Sequence, residues 1–550
     1  MRTIDKWIGG IGRQRQSKLA CPIWPPDLFA IAGALLKLSG AYIEIFAQES
    51  GTRSRFREAH DVGLKWREKI DGMRKPSPSL LTNALPLEVR EAWKRIVARR
   101  DISIRRIHDD KAVARDLIWL VLIADEACGG IGINVETRDS RFLTLSNSVL
   151  ISNDLQSFTW DIPSDAIGVL AKQHTPQRGA TLRSLTHHLA LYVPNDIEAR
   201  WVGPVTRTDL LMRNGAVNFL LVPWPLVLEA EDFHLASTPK STGIYFEYNP
   251  ARAKTTALFK RWLQRAFKEA RKHARQIDVV VFPELALSVE EYLQAERVCI
   301  SNGAMLIAGL RVPGSRSQRG LNFCMLQPTG LFLREGKKPT LREQKLLVEK
   351  YRLAQSKHHR WCLDRQQILH YQLAGRIPSA ASVWENIVIH RRRLHFLTFG
   401  DWMTWSVLVC EDLARQDPAA DLIRSVGPNL LIALLMDGPQ LRGRWSSRYA
   451  SVLADDPGTS VLTLTSLGMA ERCRPMLLTT GRRAEKNRAI GLWKDVETGE
   501  HEIVLDAGDN VCLLTVVPEM KEEVSADGRK DGFKSYYPIF AGYKSFRVAT

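Results

Sequence analysis

The stretch IDVVVFPELAL (277–287) decides the fold. Val279–Phe282 is a continuous apolar run, the pattern of a strand buried on both faces, and Pro283-Glu284 closes it. Upstream, TTALFKRWLQRAFKEARKHARQ (255–276) carries apolar residues at helical spacing on an otherwise basic segment. Downstream, VEEYLQAERVCISNG (289–303) reads as a helix stopped by Gly303, and AMLIAGLRV (304–312) as a second buried strand. Helices alternating with buried strands predict a layered α/β domain. NFLLVPWPLVL (218–228) opens this region, and WSVLVCED (405–412), NLLIALLM (429–436) and SVLTLTSL (460–467) add three more strands. A helix, GRWSSRYASVLADD (443–456), lies between the last two, and NFCMLQPTGLFLRE (322–335) predicts a hairpin turning at Pro328-Thr329-Gly330.

Residues 1–210 have a different texture and are expected to form a mainly helical domain. PDLFAIAGALLKLSGAYIEIFAQ (26–48) is helical and broken at Ser39-Gly40. LPLEVREAWKRIVARR (85–100) follows a Pro-containing stretch, and DDKAVARDLIWLVLIADEA (109–127) stops before Gly129-Gly130. Residues 131–210 are mixed. The expected organisation is therefore a helical domain at 1–210, an α/β domain at 215–520 and a C-terminal tail at 521–550.

Composition narrows the class. With 550 residues, 45% hydrophobic and 25% charged, the chain is globular rather than disordered, collagenous or coiled-coil. The net charge of +17 permits attraction to anionic partners, but the basic residues are dispersed and no nucleic-acid-binding motif accompanies them. The eight cysteines, at 21, 128, 299, 324, 362, 410, 473 and 512, contain no CxxC pair and no zinc-finger spacing, so neither a disulfide scaffold nor a metal site is expected. That pattern suits a reducing cytoplasm. The longest apolar runs, such as Leu117–Ala124, fall far short of the roughly 18–20 residues a bilayer requires. GGIG at 9–12 and 129–132 lacks the strand and helix that flank a phosphate loop.

Three features carry chemistry. Glu284 closes a Val-rich strand, where side chains leave the sheet toward a site. Cys410 ends SVLVC, where a neighbouring base and cation could activate it. Between them lies the lysine-bearing stretch LREQKLLVEKYR (341–352). Taken singly, each has a plainer reading: a surface Glu, a buried apolar Cys and a solvated helix.

Taken in order, Glu after a strand, then Lys, then Cys after a strand, the region from about Asn218 to Val517 resembles the nitrilase, or carbon-nitrogen hydrolase, superfamily. Gly309, Asn322 and the turn at Gly330 fall where that family makes the hairpin before its lysine. Phe399-Gly400 precedes the cysteine strand, and PNLLIALLM, the Trp445 helix and SVLTLTSLGM match the later strand-helix-strand order. The resemblance implies a four-layer αββα sandwich, with Glu284 as base, a lysine and the backbone N–H of Glu411 at the oxyanion, and Cys410 as nucleophile. It implies a thioester intermediate with no metal or organic cofactor, and a homodimer or larger homo-oligomer built through the outer helices. CED looks like amidase branches, such as the glutamine-amidase domains of NAD synthetases, and so favours a small-molecule amide over a nitrile.

Lys345 in REQKLL is the expected catalytic lysine by its distance from the Gly330 turn; Lys350 is second, and Lys337 and Lys338 come third. Residues 348–395, rich in His, Arg and Trp, read as an insertion forming a lid or a partner surface. They leave Glu349 and Glu385 as candidates for the family's second Glu. His358-His359 reads as a solvated surface pair rather than as metal ligands. Two alternatives to an amidase stand: an inactive ligand- or partner-binding domain, or a nucleic-acid-associated helical region with a hydrolase effector. A helical extension on such a domain also resembles bacterial anti-phage fusions, which implies a role in defence.

Overall fold

The computed structural model describes all residues except 1, 13–16, 46–51, 133–139, 177–178, 195, 204–214, 237–242, 251–255, 334–339, 400–401, 474–487, 531–534 and 550. Two seven-stranded sheets organise the α/β region. The first runs, edge to edge, Leu353–Ser356, Leu321–Gln327, Met305–Val312, Val279–Leu287, Val217–Leu221, Val511–Lys521, Ser535–Phe546. The second runs Gly499–Val504, Ala489–Asp495, Ser460–Leu464, Leu430–Leu434, Met403–Val409, Arg392–Phe399, Ile197–Val202. In each sheet the central strands are parallel: Val217–Leu221, Val279–Leu287 and Met305–Val312 in one, Met403–Val409, Leu430–Leu434 and Ser460–Leu464 in the other.

Side-chain alternation explains the layering. On the first sheet, Phe219, Leu221, Val279, Val281, Met305 and Ile307 enter the core shared with the second sheet. Their alternates Leu220, Val222, Val280, Phe282, Leu306 and Ala308 face the helices Thr256–Ala270 and Val289–Ser301. Phe219 meets Trp405 across the sheets, ring centroids 5.6 Å apart. The helix Trp445–Asp455 covers the outer face of the second sheet over Ser460–Leu464 and Ala489–Asp495. Helix, sheet, sheet, helix is the four-layer order expected.

The N-terminal region is helical where its signals are strongest. Pro25–Ser39 has prolines in its first turn and ends on Gly40 in the left-handed region, φ 72°. Lys111–Ala127 is capped by the Asp110 carboxylate on the Val113 N–H. None of the helices among the described residues is long and apolar enough to cross a membrane.

Three sequence expectations need correction here. The mainly helical segment does not end as a separate domain at 210: within its mixed part, Ile197–Val202 is the edge strand of the second sheet, parallel to Arg392–Phe399. Residues 521–550 are not a tail, because Ser535–Phe546 pairs along Val511–Lys521 and completes the first sheet. The C-terminal segment also reaches the helical region: Arg529 pairs with Glu126 and donates to the Leu185 carbonyl. Finally, 322–335 is not a hairpin. Leu321–Gln327 is followed by the short helix Thr329–Phe332, and its antiparallel partner on that side is Leu353–Ser356, beyond the helix Leu341–Tyr351.

Candidate active site

Glu284 owes its position to a break in the sheet. Val279–Phe282 pairs in register with Met305–Ala308, but the register shifts before Leu287. The shift bulges Pro283–Ala286 out of the ladder and puts Leu285 at φ 52°. Two features hold the bulge. The Arg311 guanidinium donates to the carbonyls of Leu285 at 3.0 Å and Ala286 at 2.7 Å. Gly309 lies directly beneath, where a Cβ would stand 2.3 Å from the Pro283 oxygen and 2.6 Å from the Glu284 Cα. Gly309→Ala should therefore push the Glu284 carboxylate aside. Any reaction that depends on that carboxylate should then slow by about a hundredfold, the scale of a misplacement near 1 Å, beside an unchanged far-UV circular dichroism spectrum.

The buried Glu284 carboxylate sits in a closed ring of side chains. Its Oε1 accepts from Lys357 Nζ at 2.8 Å and from Asn322 Nδ2 at 2.8 Å. The same two donors reach Glu385: Lys357 Nζ at 2.8 Å from Oε2 and Asn322 Nδ2 at 2.7 Å from Oε1. The Trp361 N–H adds a bond to Glu385 Oε2 at 3.0 Å. Glu284 Oε2 is buried and meets no donor among the described residues. A buried ammonium between two carboxylates is tolerable only with this geometry, since each bare charge alone would be costly to bury.

Cys410 stands at the turn between Met403–Val409 and the short helix Glu411–Ala414, at φ 47° and ψ −105°. A non-glycine residue there is strained, and such strain collects at functional sites. The Cys410 N–H donates to the Leu434 carbonyl at 2.8 Å, tying the turn to the neighbouring strand. Burial and then Glu284 push the Cys410 thiol well above its ordinary value, while Lys357 and the Met436 N–H pull it back. The resting group is a thiol, so the neighbouring ammonium alone does not make it a thiolate. Burial also raises the Glu284 carboxyl, against Lys357 and with Glu385. For Lys357, burial favours the neutral amine, but Glu284, Glu385 and Cys410 hold it well above its ordinary value.

The expected lysine is displaced. Lys345 lies exposed on the helix Leu341–Tyr351, as do Lys350 and Glu349, and none of them enters the ring of Glu284. Lys337 and Lys338 lie outside the described residues. The lysine at Glu284 is Lys357, one residue beyond Leu353–Ser356, and its own N–H bonds to the Asn322 carbonyl at 3.0 Å. Of the two candidates for a second Glu, Glu385 joins the ring. Residues 348–395 thus supply two of its four side chains, besides a small sheet in which Val383–Glu385 lies between Cys362–Leu363 and Tyr245–Tyr248.

His358-His359 is not a solvated pair. The His358 N–H donates to both Asp412 oxygens, at 3.1 and 3.0 Å, and His359 Nδ1 lies 3.0 Å from Asp412 Oδ1. Asp412, two residues past Cys410, thereby fastens the Lys357 segment to the cysteine turn. Gln355 adds a second tie, from its Nε2 to the Val407 carbonyl at 2.6 Å. Above the ring, Tyr371 donates to Asp437 at 2.5 Å, and Leu285, Trp361, Met436 and Met469 pack into one apolar cap. Glu284 and Cys410 are only 2% and 3% exposed beneath it.

No protein-family model matches the sequence, and no curated protein matches it either. Among solved structures, the chain is similar to an amidase from Nesterenkonia sp., at 12% identity over 56% of this chain and 93% of that one, with a TM-score of 0.31. It is similar to Saccharomyces cerevisiae Nit3, a member of branch 10 of the nitrilase superfamily, at 9% identity over 55% and 90%, TM-score 0.30. A variant of the Nesterenkonia amidase, described with the acetamide moiety of fluoroacetamide added covalently at its active-site cysteine, is similar at 11% identity over 56% and 91%, TM-score 0.32.

Proposed function

We propose that this protein is a carbon-nitrogen hydrolase that cleaves a small amide through Cys410, Glu284 and Lys357. The carrying observation is the buried Lys357 ammonium, 2.8 Å from both Glu284 and Glu385 and electrostatically coupled to a strained Cys410.

Each group has a chemical part. The thiol is protonated at rest, so attack on the amide carbon needs a base, and the free Oε2 of Glu284 takes the proton as the S–C bond forms. The carbonyl oxygen becomes an oxyanion, stabilised by the Lys357 ammonium and by the Glu411 N–H, which as the first of its helix has no intrahelical acceptor. When the C–N bond breaks, Glu284 returns its proton to the departing amine. Water then attacks the thioester and Glu284 takes the water's proton; as the C–S bond breaks, Glu284 returns that proton to the Cys410 sulfur, which restores the thiol and the free carboxylate and releases the acid. Glu385 and Asn322 hold Lys357 and Glu284 in place throughout and need not touch the substrate.

The test is release of ammonia or amine from a panel of small amides, with hydroxylamine added to trap the thioester as a hydroxamate. Release by wild type and by Cys410→Ala alike would refute the reading. The pH profile follows from the same groups. Glu284 must be ionised to act, and its carboxyl is raised, so kcat/KM should fall on acidification with a midpoint above the usual glutamate value near 4.3. Lys357 is held above its ordinary value and stays charged through neutral pH, so it should add no alkaline limb there. An acid limb at the ordinary glutamate value would argue that Glu284 is not the base.

A further inference from the structure

Beyond the ring of Glu284, the first sheet carries a cavity on its helix-covered side. It encloses about 430 Å³, within the range of small-molecule sites. Its walls are apolar and largely aromatic: Trp224, Phe259, Trp262 and Tyr248, with Leu226 and Leu258. Trp224 packs edge-on to Phe259 at 5.2 Å and tilted to Trp262 at 5.4 Å, so the three rings form one continuous aromatic wall. Trp262 is 3% exposed, and its indole N–H is buried with no acceptor among the described residues.

Charge at this cavity is one-sided. Three charged groups line it: Arg265, Glu291 and Arg311. Glu291 is already engaged, by Arg311 at 3.2 Å and by the Ser288 N–H at 2.7 Å. Arg311 is spent on Glu291 and on the two carbonyls of the bulge. Arg265 is exposed at the rim and has no ion pair among the described residues. The free charge facing this aromatic box is therefore a cation.

We propose that the cavity binds a flat aromatic small molecule carrying a carboxylate or sulfonate, its rings against the wall of Trp224 and Leu258 and its anion on Arg265. The site is separate from Cys410. Ala286 lines it from the helix side of the bulge, whereas Leu285 packs into the cap over the catalytic ring. The proposal stands independently of the amidase reading.

Isothermal titration of the full chain with 8-anilinonaphthalene-1-sulfonate tests it, beside the neutral N-phenyl-1-naphthylamine. One sulfonate per chain is expected, bound more tightly than the neutral analogue. Arg265→Glu should weaken sulfonate binding by about fivefold or more and leave the neutral compound unaffected. Leu258→Glu, a change at a half-exposed wall position, should weaken both by about tenfold or more. Absence of binding to the wild type, or binding that neither variant alters, overturns the site. Equal affinity for the neutral and anionic compounds overturns the assignment of an anionic ligand.

Discussion

Cys410→Ala should abolish amide turnover and hydroxamate formation together, because Cys410, on which Glu284 and Lys357 act, is the proposed nucleophile. Modification of the wild type is equally diagnostic when read per residue. Cys21 and Cys362 are partly exposed and should react with chloroacetamide as ordinary thiols, so a chain with both changed to serine is the proper background. The remaining cysteines are inert for a physical reason: burial pushes Cys324 and Cys473 up to about 12 and also raises Cys128, Cys299 and Cys512. In that background one equivalent should add, at Cys410. Its rate should depend on Glu284, since burial also keeps this thiol protonated until a base removes the proton. Glu284→Gln should therefore slow labelling by about a hundredfold or more, the usual share of a general base. Peptide mass mapping decides the outcome. Labelling that is unchanged in Glu284→Gln would mean that the thiol ionises without it.

The parts of this site legible in the sequence are those carried by strong periodic signals. Val279–Phe282 and Val407–Cys410 are unbroken apolar runs, so the strand ends at Glu284 and Cys410 could be found from the residues alone. Lys357 could not be found that way. It follows Leu353–Ser356, a four-residue edge strand reading Leu-Ala-Gln-Ser, which has no apolar run to mark it. The Gly330 turn supplied a false landmark: Pro-Thr-Gly suits a hairpin, but here it begins a helical connection, because a Cβ on Gly330 would meet the Ala304 oxygen at 2.0 Å. That glycine is required by close packing rather than by a turn. Measuring from it placed the lysine on the exposed helix, twelve residues too early. The buried His358 has a similar cause, since its partner Asp412 is distant in sequence and becomes a neighbour only when the two sheets are stacked.

Lys357→Met should produce the largest combined loss of activity and stability. The methionine keeps most of the side-chain volume but removes the only cation in the ring of Glu284, Glu385 and Asn322. Two buried carboxylates then face each other, a cost of about 3–5 kcal/mol by comparison with broken buried ion pairs. The sign with pH is fixed by the raised lysine. Its stabilisation is present below the unfolded-state pKa and is lost only as pH rises through the higher folded value, so the wild-type pair persists through neutral pH. In Lys357→Met the penalty should instead ease as pH falls and a carboxyl takes up a proton. Denaturant titrations at pH 5 and pH 8 should show the variant closer to wild type at the lower pH. Adding Glu385→Gln removes one of the two opposed charges and should restore much of the stability at pH 8. It should restore no turnover, because the ammonium proposed to meet the oxyanion is still missing, a loss of about a hundredfold or more. Lys345→Ala, on its exposed helix, should change neither quantity. If Lys357→Met retained activity while Lys345→Ala lost it, the buried lysine would be a structural ion and the oxyanion partner would have to lie elsewhere.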